Sequence, residues 1–171
     1  NNMNVGRVRE DGTQCGFGGC RYSRPADSEN DFDNFSPKLS LRYQLNPQTQ
    51  LFGGIARGYR APQATELYRL QRAQTVTDLD SVTADNIEMG VTGTLFDGSY
   101  TLSLYSLQKD NVIYRDSDFF NVSNGETWHR GVELTFDQPL NDVLRLDFAG
   151  TYAKHTYEHS QLSGEQDIKG N

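Results

Sequence analysis

LFGGIARGYRAPQATE, residues 51–66, begins as a strand and ends where a strand cannot continue. Pro62 has no N–H to give a β-ladder, so pairing must stop near Arg60-Ala61. A tight turn, Asn46-Pro47-Gln48-Thr49, separates this strand from the one before it. A long polar stretch, 61–82, follows it. One strand with a short turn at its start and a long loop at its end is an asymmetric unit, and the chain repeats it.

Upstream, Leu39, Leu41, Tyr43 and Leu45 alternate with Lys38, Ser40, Arg42 and Gln44, a half-buried strand over 36–45. Residues 50–59 form the next, with Leu51 and Ile55 on one side and Phe52 and Ala56 on the other. Within the long stretch, ATELYRLQRAQ (64–74) carries Leu67 and Leu70 at helical spacing. A third strand, 84–96, sets Ile87, Met89, Val91 and Leu95 against Glu88, Gly90, Thr92 and Thr94. Asp97-Gly98 reads as a type I′ hairpin turn, which needs positive φ at both positions. The return strand from Ser99 alternates until Ser106 and then blurs, the mark of a bulge. After a loop at 115–124 come a fifth strand (127–137), a turn at Gln138–Asp142 and a sixth strand (143–157). Residues 1–34 and the tail after 157 read as loops, and the acidic run Asp27, Glu29, Asp31, Asp33 reads as a solvated face.

The expected fold is therefore all-β: an antiparallel, up-and-down, transmembrane β-barrel segment of about six strands, an open curved sheet when taken alone. Roughly 10–15 residues per strand suffices for the 9–11 a tilted spanning strand requires. One face carries Leu, Ile, Val, Met, Phe and Tyr. The other carries Lys38, Arg42, Glu88, Glu133, Arg145 and Asp147 among Thr and Ser. Alternation alone does not say which face is wet; strand length and loop asymmetry favour a polar lumen and an apolar lipid face.

Composition agrees. The 171 residues carry a net charge of −7, with no basic stripe for nucleic acid. Mean hydropathy is −0.71, and no apolar run is long enough for a spanning helix, yet alternating barrel strands average to such values. Cys15 and Cys20, in C-G-F-G-G-C, fit a local disulfide in an oxidising compartment, or two unpaired thiols. They do not make a metal site alone. His155 and His159 lie roughly 13 Å apart on an extended strand, too far for one metal. They and His129 read as separate surface histidines.

ARGYRAP (56–62) followed by Thr65-Glu66-Leu67 resembles the RGFRAP…EL signature of TonB-dependent outer-membrane receptors, with Tyr59 where Phe is usual. Arg57, Gly58, Arg60, Ala61, Pro62 and Glu66 carry the match. Three further stretches agree in order: 81–113, with Glu88 and Gly90 matching an E-x-G; 121–136, with Gly125, Arg130, Gly131 and Glu133 matching N-x-G…RGvE; and the tail DIKGN. FSPKLSLRY (35–43) also fits. The Asn before Gly125 is Asn124 or Asn121 rather than the residue two back. The resemblance covers most of the chain, from about residue 11 onward. It implies one part of a receptor barrel domain, 1–171, from the C-terminal half of about 22 strands. The plug domain and TonB box of that family lie N-terminal to such a segment and are absent from it.

By resemblance the parent is no enzyme and needs no cofactor. It imports a ferric siderophore or a similar scarce nutrient across the Gram-negative outer membrane, surrounded by lipid and energised by the TonB complex through the plug. Ligand would meet the lumen and outer loops. Arg57 and Arg60 are candidates for an anionic chelate, with pairing to carboxylates as the alternative. Tyr68, Phe119, Phe120 and Trp128 are candidate contacts, with membership of an interfacial aromatic girdle as the alternative. Glu88, Glu133 and Arg130 are expected to be structural lumen residues. Competing readings are a porin, a protease with Asp116, Asp118 and His129 at its rim, and a soluble β-barrel binding domain.

Overall fold

The computed structural model describes residues 22–23, 29–71, 74, 77–117, 120–158, 162–163 and 166–167. Six strands form one antiparallel sheet in sequence order: β1 Lys38–Asn46, β2 Thr49–Arg60, β3 Val82–Leu95, β4 Gly98–Arg115, β5 Asn121–Asn141 and β6 Leu144–Tyr157. The sheet is not closed, since β1 and β6 each pair on one side only. One helix, α1 (Ala64–Tyr68), interrupts the β2–β3 connection. Two-residue pairs, Tyr22–Ser23 with Leu70–Gln71 and Leu162–Ser163 with Gln166–Asp167, complete the order.

Three connections at one end are two-residue turns, and local side-chain hydrogen bonds set two of them. At Pro47-Gln48 the Asn46 Oδ1 accepts from the Gln48 N–H at 2.9 Å. At Asp142-Val143 the Asn141 Oδ1 accepts from the N–H groups of Val143 and Leu144, both at 2.9 Å. This turn lies past Pro139, which stays within β5, so the reversal comes later than the Gln138–Asp142 reading. The third turn is Phe96-Asp97, one residue earlier than expected. Of these two only Phe96 has positive φ, at 55°, so the type I′ condition is not met. Gly98 belongs to β4. A Cβ there would lie 2.3 Å from the Asp137 carbonyl oxygen, so glycine is needed for close approach of β5 rather than for the turn.

At the other end the 61–81 connection is long, as read. The 115–124 loop is shorter than read: β4 runs to Arg115 and β5 begins at Asn121. At 18 and 21 residues these strands reach about 60–70 Å, far beyond the ~25 Å apolar band, so their hairpin projects outward. The blurred alternation after Ser106 is a bulge. Asn111 has φ 56°, and register slips between Lys109 and Val112.

Register divides the side chains into two faces. Leu41, Gly53, Met89, Leu104, Val132 and Tyr152 are cross-strand neighbours in one row, and the adjacent row is Tyr43, Leu51, Val91, Leu102, Leu134 and Gly150. This apolar face is open: Leu41 is 73% exposed, Met89 56% and Phe148 52%. No described residue covers it, as expected of a surface whose solvent is lipid. The buried apolar core lies elsewhere, under the 61–81 connection, from Leu67, Leu70, Leu79 and Val82.

The apolar band crosses the rows obliquely. The row Leu39, Ile55, Ile87 is apolar over β1–β3, then continues as Ser106, Arg130, Lys154 over β4–β6. Strands ~4.8 Å apart and tilted 35–45° climb by about 3 Å per strand along a row, so a level membrane boundary must step in this way.

Candidate functional site

The opposite face carries the charges and forms the wall of a concavity of about 450 Å³ along β1–β4. Lys38, Arg42, Phe52, Gly54, Asn86 and Glu88 are among its lining residues. The motif glycines belong to this face. Gly90 sits opposite Phe52 on β2, and a Cβ there would meet the Phe52 ring at 2.5 Å and the Leu102 carbonyl oxygen at 2.4 Å. Gly131 sits opposite Tyr105 on β4, and a Cβ there would meet that ring at 2.7 Å. Each glycine is a notch under a neighbouring aromatic. Glu88 then lies beside Tyr105, and Glu133 beside Ser103. Periodicity placed these acids on the polar face but gave no signal that Phe52 and Tyr105 fill the gaps between them.

Further along the same face, Thr92 Oγ1 and Thr101 Oγ1 are 2.9 Å apart. At the short-turn end Arg145 pairs with Asp137, with Asp147 at 3.6 Å. Towards the long-loop end of this face His129 and His155, read as separate surface groups, meet instead. They are register partners on β5 and β6, with Nδ1 atoms 2.6 Å apart and rings edge-on at 4.8 Å. At that distance one Nδ1 donates and the other accepts. The pairing spans 26 positions, beyond what local periodicity can show.

The long-loop end holds the second candidate region. Gln63 N–H donates to Glu66 Oε2 at 2.6 Å, completing a capping box that starts α1. Arg60 pairs with the same carboxylate at 3.0 Å. The buried Gln74 side chain clasps the Asn121 backbone from both sides: its Nε2 donates to the carbonyl at 2.9 Å, and its Oε1 accepts from the N–H at 3.0 Å. Asn121 Nδ2 donates to Glu66 O at 2.8 Å, and Ser123 Oγ accepts from Asp80 N at 3.0 Å. The long connection is thereby tied to the start of β5. A cleft of about 350 Å³ opens between them, lined by Thr65, Glu66, Arg69, Ile113, Arg115 and Asn121. Nearby, burial first and Asp116 second raise the Tyr114 phenol above its usual range.

The remaining candidate residues are dispersed. Arg57 lies on the apolar face, one level beyond Ile55, in a two-pronged pair with Asp85 at 2.6 Å. Trp128 lies on that same face, its Nε1 donating to Glu126 at 3.0 Å and its ring under the Arg130 guanidinium at 4.4 Å. Arg130 therefore faces outward with Val132, not into the lumen, because it stands an odd number of residues from Glu133. Tyr68 accepts from Asn30 at 2.8 Å. Phe120 closes the β4–β5 reversal, its N–H donating to Asp116 Oδ1 at 2.8 Å, which engages one member of the rim-protease constellation. Phe119, Asp118, His159, Cys15 and Cys20 lie outside the described residues. Among the described residues no group of three or more His, Cys, Asp or Glu is placed to hold a metal.

Comparison with known proteins gives three consistent findings. The family model described as "TonB dependent receptor-like, beta-barrel" matches residues 9–171. The chain is similar to the metal-pseudopaline receptor CntO of two Pseudomonas aeruginosa strains, 26% identical over 137 residues in each. That match covers 78% of this chain and 18% of the relative, so the chain spans under a fifth of the curated proteins it matches. The structure resembles the siderophore receptor PirA from Pseudomonas aeruginosa with a TM-score of 0.63 at 22% identity, over 71% of this chain and 25% of that one.

Proposed function

Because the chain belongs to the TonB-dependent receptor β-barrel family, we propose that it forms part of the wall of an outer-membrane importer. The cargo is a ferric siderophore or a chemically similar metal–chelate, and the TonB complex supplies the energy. One observation carries this reading. A single open sheet has an uncovered apolar face on one side and, on the other, a charged concave face with Lys38, Arg42, Glu88 and Glu133. Such a sheet divides lipid from an aqueous lumen. The names of the relatives support the cargo class.

In this reading ligand approaches from the long-loop end. Arg60, Tyr68 and Phe120 stand in that region and, with Phe119, are its candidate contacts. Arg57 and Trp128, on the outer face, serve the membrane rim. The wall residues bind and guide; no bond is made or broken in the cargo.

The test is uptake of radiolabelled ferric siderophores by cells expressing the receptor that carries this segment, with and without TonB. Accumulation that requires both receptor and TonB supports the reading. Passive, TonB-independent flux with open-channel conductance would replace it with a porin.

A further inference from the structure

The outward face changes chemistry at one corner. Arg130 on β5 and Lys154 on β6 are direct register partners, both exposed, one level beyond Val132 and Tyr152. Like charges directly opposite on a sheet repel. Neither forms an ion pair among the described residues, whereas Arg57 pairs with Asp85, Arg60 with Glu66 and Arg145 with Asp137. The pairing is not a by-product of excess positive charge, since the chain carries −7. Trp128 lies beneath the Arg130 guanidinium at 4.4 Å, a cation–π contact that holds the head group on this face. Directly below runs the lipid-facing band of Leu104, Val132 and Tyr152.

We propose that Arg130 and Lys154 form a clamp for the phosphate of an anionic membrane lipid, seated on the outer surface at the long-loop end of the barrel. The guanidinium supplies a planar pair of donors and the ammonium a point charge, which together suit one phosphate. The lipid's chains lie over Val132 and Leu104. A phosphate between the two cations removes their repulsion. This inference rests on the lipid-facing reading of the apolar face, not on any cargo.

The test uses the whole receptor in nanodiscs of phosphatidylcholine doped with bis-phosphorylated lipid A or with its dephosphorylated form, read by native mass spectrometry. Arg130→Gln and Lys154→Gln should each weaken retention of the phosphorylated lipid about fivefold, and the pair about thirtyfold. Lys154→Arg should retain it, and the dephosphorylated lipid should not discriminate among variants. Equal retention by wild type and the double variant would overturn the clamp. So would displacement by inorganic phosphate at the same concentration as lipid, which would mark a free-anion site. If the double variant loses heat-modifiable migration and so is unfolded, the single variants and Lys154→Arg decide. Failure of the wild-type receptor to enter nanodiscs at all would instead remove the lipid-facing reading.

Discussion

Alanine at Gly90, Gly131 and Gly58 should give three different outcomes, although all three glycines lie in motifs of the same family. Ala relieves the entropic cost of glycine in a strand by about 0.5–1 kcal/mol. Gly58 has nothing within 4 Å of a new Cβ, so Gly58→Ala should be neutral or stabilising by about that amount. At Gly131 the new atom stands 2.7 Å from the Tyr105 ring, a side chain that can tilt away. Overpacking of about 1–3 kcal/mol, less the entropic gain, predicts a modest net loss of about 1 kcal/mol. At Gly90 the obstacle includes the Leu102 carbonyl oxygen at 2.4 Å, which is fixed by the β3–β4 ladder. The cost should reach the upper part of that range, about 2 kcal/mol net. The assay is urea unfolding of the receptor in lipid vesicles, followed by tryptophan fluorescence. A double-mutant cycle sharpens it: Tyr105→Ala should largely cancel the Gly131→Ala penalty, with a coupling of about 1 kcal/mol. Phe52→Ala should cancel only part of the Gly90→Ala penalty, because the carbonyl remains. Equal midpoints for all three alanine variants, or additive behaviour of Tyr105→Ala with Gly131→Ala, would refute the notch-and-ring account.

Other perturbations test the faces and the loop. Met89→Arg, at the middle of the apolar band, should cost roughly 2–4 kcal/mol in vesicle refolding, whereas Asn86→Arg on the lumen face should cost little; equal penalties would sink the face assignment. Gln74→Leu leaves the Asn121 carbonyl and N–H without partners at about 1–3 kcal/mol, and hydrogen exchange at Asn121 and Ser123 should rise first while the sheet stays protected. Arg145→Gln leaves Asp137 and Asp147 facing each other in register, so the urea midpoint should fall and Asp147→Asn should restore it. A midpoint indifferent to both changes would show that the cluster is screened by water.

Much of the sheet was legible in the sequence because the strand period is two and each strand states it locally. Leu39 to Leu45, Ile87 to Leu95 and Leu144 to Phe148 alternate cleanly and lie in strands at those places. Turn positions were less legible. Pro139 and Asp97-Gly98 are turn signals, yet Pro139 is accommodated within β5 and Gly98 is selected by the nearness of Asp137, a contact 39 residues away in sequence. The outward hairpin of β4 and β5 was hidden because its extension, 115–124, mixes Phe119, Phe120 and Val122 with polar residues and sustains no alternation. Arg130 was misplaced by its motif company with Glu133, although parity alone sets it on the other side.

By itself the sequence determined the six-strand order, the two chemically opposite faces and the asymmetry of the connections, since each depends on residues within a strand or a turn. Only the tertiary structure decided which residues meet across strands. It set Phe52 on Gly90 and Tyr105 on Gly131, joined His129 to His155, placed Arg130 beside Lys154, and tied Gln74 to Asn121. The physical reason is register. A strand's period fixes which face a side chain takes, but its neighbours there depend on how far each strand slides against the next, and that is settled by turns, bulges and close contacts distributed over the whole sheet.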